Sequence, residues 1–92
     1  MDHRQTMLTG AQIRMARGLL RWSVKDLAEH SGVSTATIKR MEDVDGVPKS
    51  IADNLSKIQT VLEKNGIQLI PENGGGAGIR FRNRADGTRD EH

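Results

Sequence analysis

The stretch from Ser23 to Glu42 constrains the fold most: it holds two helix-start signals on either side of a glycine turn. Ser23 stands three residues before Asp26. A hydroxyl there can accept from an orphan backbone N–H, and the carboxylate sits at the positive end of the helix. Leu27 and Ala28 follow as inward positions, and Ser31-Gly32 ends the run. Glycine suits the left-handed conformation that closes a helix and turns the chain. Ser34 then caps a second helix whose inward residues are Ile38 and Met41. Helices this short are marginal alone and need each other's apolar faces. Two of them joined by a tight glycine turn form a helix-turn-helix pattern. Ala28 is small where the helices approach, and Val33 and Ile38 close the core between them. The N-terminus of the second helix is then free to offer N–H groups and its first side chains to an anionic groove.

The flanks extend the same logic. Thr9 and Gln12 have capping-box spacing, and Ile13, Ala16, Leu19 and Leu20 predict one apolar stripe on a first helix that exits at Trp22. Asp43–Pro48 reads as a loop. Ser50 caps a fourth helix with Asp53 in its first turn, and Ile51, Leu55, Ile58 and Leu62 form its stripe up to Asn65-Gly66. Beyond Gly66 the period shortens to about two residues. Residues 67–70 and 79–82 read as strands joined by the glycine-rich run from Pro71 to Gly78. The expected organisation is a frayed segment 1–8, a helix-turn-helix domain 9–66, a β-hairpin 67–82 and a disordered tail 83–92. An isolated hairpin is marginal in water, so this one must lie on the helices, pair with a second chain, or do both.

Composition narrows the function. A chain of 92 residues fits one small domain, and it has no cysteine for disulfides, thiolate metal sites or thiol catalysis. A cytoplasmic setting fits that. No apolar run is long enough to cross a bilayer, and Met1–Thr6 lacks the apolar run of a secretory leader. His3, His30 and His92 are isolated, Ser23, Ser31 and Ser34 are explained as caps and turn residues, and Gly74–Gly78 lacks a following Lys-Ser/Thr. No cofactor, metal site or catalytic set is therefore expected, and an enzyme is the remotest reading. The formal net charge is only +2, with Arg4, Arg14, Arg17 and Arg21 set against Asp2 in the first 22 residues. Nucleic-acid binding would need a local basic face. Scarce aromatics, one Trp, one Phe and no Tyr, argue against single strands or RNA held by base stacking.

Trp22-Ser23, Leu27-Ala28, Gly32-Val33-Ser34, Ile38 and Glu42 resemble the helix-turn-helix of the lambda-repressor-like, or XRE, family of bacterial and phage regulators. The likeness spans residues 9–62. It implies a mainly α fold, a bundle of four to five short helices followed here by a C-terminal β-hairpin. It also implies that the helix from Ser34 to about residue 43 lies in the DNA major groove. Family members often pair an arginine of the first helix with a glutamate ending the recognition helix; Arg17 and Glu42 occupy those places, and a structural ion pair is expected. The sequence departs from the family at Val24, where a glutamine commonly reaches DNA, and at Met41, where Ile or Leu is more usual.

Candidate DNA contacts follow. Arg40 suits a bidentate contact to guanine O6 and N7, or a solvated surface charge. Ser34, at the start of the helix, is also a candidate DNA contact, and Thr35 and Ala36 can touch base edges. Thr37 either joins them or helps Ser34 cap the helix. Lys39 is a phosphate contact or a solvated charge, and so are Lys25 and Lys49. Arg14 and Arg21 read as surface charges, Asp43 and Asp45 as a loop turned partly away from DNA, and Trp22 as core. A single recognition helix reads few base pairs, so the expected partner is a palindromic double-stranded operator bound by a homodimer. Ile67, Leu69, Ile79 and Phe81 are the candidate dimerisation residues. The same scaffold could instead serve as an antitoxin or adaptor that binds another protein. Asn83–His92 carries only Ala85 as an apolar anchor, which argues mildly against that.

Overall fold

The order of elements follows the caps. The computed structural model describes residues 8–50, 52–71 and 74–83. Four helices, α1 (Gly10–Leu20), α2 (Val24–Ser31), α3 (Thr35–Glu42) and α4 (Ala52–Lys64), precede two strands, β1 (Ile67–Ile70) and β2 (Gly78–Phe81). The fold is mainly helical with one antiparallel hairpin after the helices. Thr9 and Ser23 form complete capping boxes with Gln12 and Asp26, and the Ser34 hydroxyl accepts from the Thr37 N–H at 3.2 Å. Gly32 closes α2 at φ 79°. Arg21 closes α1 at φ 59°, a left-handed conformation uncommon for a residue with a side chain. The turn is secured because the Trp22 N–H returns to the Arg17 carbonyl at 2.9 Å. The expectations for residues 1–7, Ile51 and residues 84–92 lie outside the described residues.

The apolar stripes meet in one core. Ile13 and Ala16 of α1, Leu27 of α2, Ile38 and Met41 of α3, and Leu55, Ile58 and Leu62 of α4 are buried together with Val33. Leu8 joins them, so the ordered domain starts inside the segment expected to be frayed. Leu19 departs from its expected place: it is 41% exposed, and Leu20 packs on the core instead. At about 100° per residue, Ile13, Ala16 and Leu20 share a face from which Leu19 is turned roughly a quarter circle.

The hairpin belongs to this core. Ile67 pairs with Phe81 and Leu69 with Ile79, which places all four on one face of the sheet. That face lies on the helices: Ile67 is 0% exposed, and Leu69 and Ile79 pack against the core. Ile67 is therefore closed to a second chain, a correction to its expected dimerisation role; Phe81 alone of the four stays open, at 42%. The second strand begins at Gly78, one residue earlier than expected. The Arg82 N–H still donates to the Gly66 carbonyl at 2.7 Å, and Asn83, expected in the tail, takes part in a β-bridge.

Gly10 sets how closely α1 approaches the end of α3. A Cβ there would lie 2.0 Å from the Val44 carbonyl oxygen and 2.3 Å from that of Met41. Gly18 lies on an exposed stretch of the same helix with nothing within 4 Å of its would-be Cβ. The two glycines should therefore respond oppositely to alanine. Gly10→Ala is expected to destabilise by about 3 kcal/mol through overpacking against backbone. Gly18→Ala is expected to stabilise by about 0.5–1 kcal/mol. Urea unfolding of both variants measures this, and a Gly10→Ala protein as stable as the wild type would refute the close approach.

Candidate nucleic-acid interface

The helix expected to carry recognition, α3, is held from behind by arginines of α1. Arg17 meets Glu42 in a bidentate pair, Nε to Oε2 at 2.7 Å and Nη2 to Oε1 at 2.9 Å. Its remaining nitrogen, Nη1, donates to the Trp22 carbonyl at 2.9 Å, so one guanidinium ties α1, the α1–α2 turn and the end of α3. The hydrogen bond with Glu42 raises the Arg17 pKa above its ordinary value, against the lowering effect of burial. Arg14 departs from the expected surface role. Its Nη1 donates to the Glu42 and Val44 carbonyls, and its Nη2 meets the Asp45 carboxylate at 2.5 Å. The Gly10 N–H donates to the Gly46 carbonyl at 2.8 Å. The first turn of α1 thus finds partners for its orphan donors in the loop that follows α3.

With its back fixed, α3 turns its other side outward. Ser34, Thr35, Ala36, Lys39 and Arg40 are exposed, and Thr37 is half-buried. Ser34, Thr37 and Arg40 form a chain one turn apart. The Ser34 hydroxyl donates to Thr37 Oγ1 at 2.9 Å, and Arg40 Nη2 donates to the same oxygen at 3.3 Å. A depression of about 280 Å³ between α3 and the start of α4 is lined by Thr37, Arg40, Met41, Lys49, Ser50 and Asn54. It brings together the cations of Arg40 and Lys49. Lys25 and Lys39 are exposed but do not line it. Asn54 was not singled out from the sequence. Its signal is its place in the first turn of α4, where a polar side chain faces back toward the preceding loop.

Trp22 is half-buried against the core, and its ring stacks on His30 with centroids 4.2 Å apart and planes 18° from parallel. His30 Nδ1 lies 2.8 Å from the Asp26 carbonyl. A carbonyl only accepts, so Nδ1 carries the proton. Among the described residues no three His, Asp or Glu gather to hold a metal ion, and no helix is long and apolar enough to cross a membrane. No protein-family model matches the chain, and no relative among curated proteins does either.

The cap that opens the two-helix unit is sensitive to pH. The Ser23 backbone N–H donates to the Asp26 carboxylate at 2.9 Å, and this bond, followed by the side-chain bond with Ser23, lowers the Asp26 pKa below its ordinary value. A carboxylate depressed on folding contributes stability that is complete above its unfolded pKa and lost as pH falls through the folded one. Asp26→Asn should therefore lose stability near neutrality, where the carboxylate's contribution is complete, and approach the wild type as pH falls through the folded pKa. Thermal melts of wild type and variant at pH 7 and in steps down to about pH 2.5 test this. Parallel profiles would show that the cap does not sense acid.

Proposed function

We propose that this protein is a sequence-specific double-stranded DNA-binding regulator, acting as a homodimer with α3 in the major groove. One observation carries the reading: α3, the second helix of a helix-turn-helix unit, is pinned on its inner side by Arg17 and presents Thr35, Ala36, Lys39 and Arg40 outward. A fixed helix with short polar residues in its first turn and a guanidinium two turns in meets the needs of base-edge readout. Lys49, Lys25 and Lys39 supply phosphate contacts that set register without reading sequence. The lambda-repressor-like assignment rests on the motif residues and on this arrangement of short capped helices. In this reading the protein works in the cytoplasm as a repressor, blocking a site by occupancy rather than by chemistry.

Two copies set one helical turn apart, roughly 34–36 Å, would read a palindromic operator. Phe81 is the exposed apolar residue of the hairpin and the natural seam between copies. In vitro selection of bound DNA tests the reading directly, with a palindromic consensus as the expected result and no enrichment as the refutation. Arg40→Ala should relax preference at one base position per half-site. Lys39→Ala should weaken all sequences alike and lower the salt slope by about one. Sedimentation of Phe81→Asp is expected to show a monomer; an intact dimer would move the seam elsewhere.

A further inference from the structure

We propose that Thr37 is the positioning residue for Arg40, and that the pair selects guanine at the base beneath it. This rests on the DNA-binding reading above. Donors and lone pairs along the Ser34–Thr37–Arg40 chain decide what it can offer. Ser34 Oγ accepts from the Thr37 N–H at 3.2 Å and donates its own proton to Thr37 Oγ1 at 2.9 Å, so the cap is tied to backbone. Thr37 Oγ1 then accepts a second bond, from Arg40 Nη2 at 3.3 Å. A threonine hydroxyl has two lone pairs and one proton. Both lone pairs are filled, and what Thr37 has left to offer is a donor. Arg40 is donor-only by nature, and one N–H held by Thr37 leaves four of its five.

Two consequences follow. First, the guanidinium is held in one rotamer before DNA arrives, through a chain that begins at the helix cap. An arginine without that tether can reach phosphates as readily as bases. Second, the surface made by Thr37 and Arg40 presents donors only. In the major groove guanine offers two acceptors, N7 and O6, whereas cytosine offers a donor at N4 and adenine pairs one acceptor with one donor. A donor-only fork fits guanine and meets a like group on cytosine.

In vitro selection with wild type, Thr37→Val and Thr37→Ser tests this. Valine keeps the shape and removes the oxygen; serine keeps the oxygen. Wild type is expected to enrich guanine at one position of each half-site. In Thr37→Val that preference should fall about fivefold, part of the discrimination a bidentate pair supplies. Thr37→Ser should keep it within about twofold. If Thr37→Val fails to fold, Thr37→Ala takes its place with the same expectation. A purely structural role would weaken every sequence alike and leave base frequencies untouched. An enriched wild-type motif whose guanine preference survives in Thr37→Val, or falls equally in Thr37→Ser, overturns the positioning role and leaves DNA binding standing. No enrichment by wild type overturns the DNA-binding reading and this one with it.

Discussion

The carboxamide of Gln12 joins the helical part to the hairpin. It is 2% exposed, and both of its ends are used. Oε1 accepts from the Thr9 N–H at 2.9 Å and completes the cap of α1. Nε2 donates to the Gly78 carbonyl at 2.8 Å and the Ile70 carbonyl at 3.3 Å, which belong to one cross-strand pair. A two-stranded hairpin has little stability of its own, and a buried amide left without partners costs about 1–3 kcal/mol. The same side chain meets both needs. Helix α1 becomes the hub: its start holds the hairpin and the loop after α3, and its end holds Trp22 and Glu42.

The outward face of α3 is a product of that hub. Eight residues of helix do not hold a direction unaided. Ion pairs withdrawn from water add little net stability, because desolvation offsets the attraction, but their geometry is demanding. The bidentate contact of Arg17 with Glu42 therefore acts mainly on orientation. Apolar packing of Ile38 and Met41 supplies the adhesion, and the guanidinium fixes which way the rest of the helix looks.

Local features were legible in the sequence because their partners lie three or four residues away. The boxes at Thr9 and Ser23, the Ser34 cap, the Gly32 turn and the stripes of α3 and α4 all arise at that range. Contacts across the chain were not. Gln12 declared its cap but not its grip on carbonyls beyond residue 69, since a backbone acceptor has no identity in sequence. Gly10 looked like an ordinary helix start, and its reason is the backbone of Met41 and Val44. Arg14 read as a surface charge because carbonyls at the end of another helix are equally silent. Leu19 misled because a leucine satisfies a loose i, i+3 pattern from the wrong side of the helix. Of the candidate site, the exposure of α3 was readable; the hydroxyl that links Ser34 to Arg40 was not.

The stack of Trp22 on His30 has a practical meaning. The chain holds one tryptophan and no tyrosine, so its ultraviolet emission comes from a single indole lying flat on an imidazole. Trp22 sits where α1 hands over to α2, and its backbone carbonyl is held by the arginine that orients α3. The protein thus carries an intrinsic optical gauge of the joint behind its outward face, readable without a label.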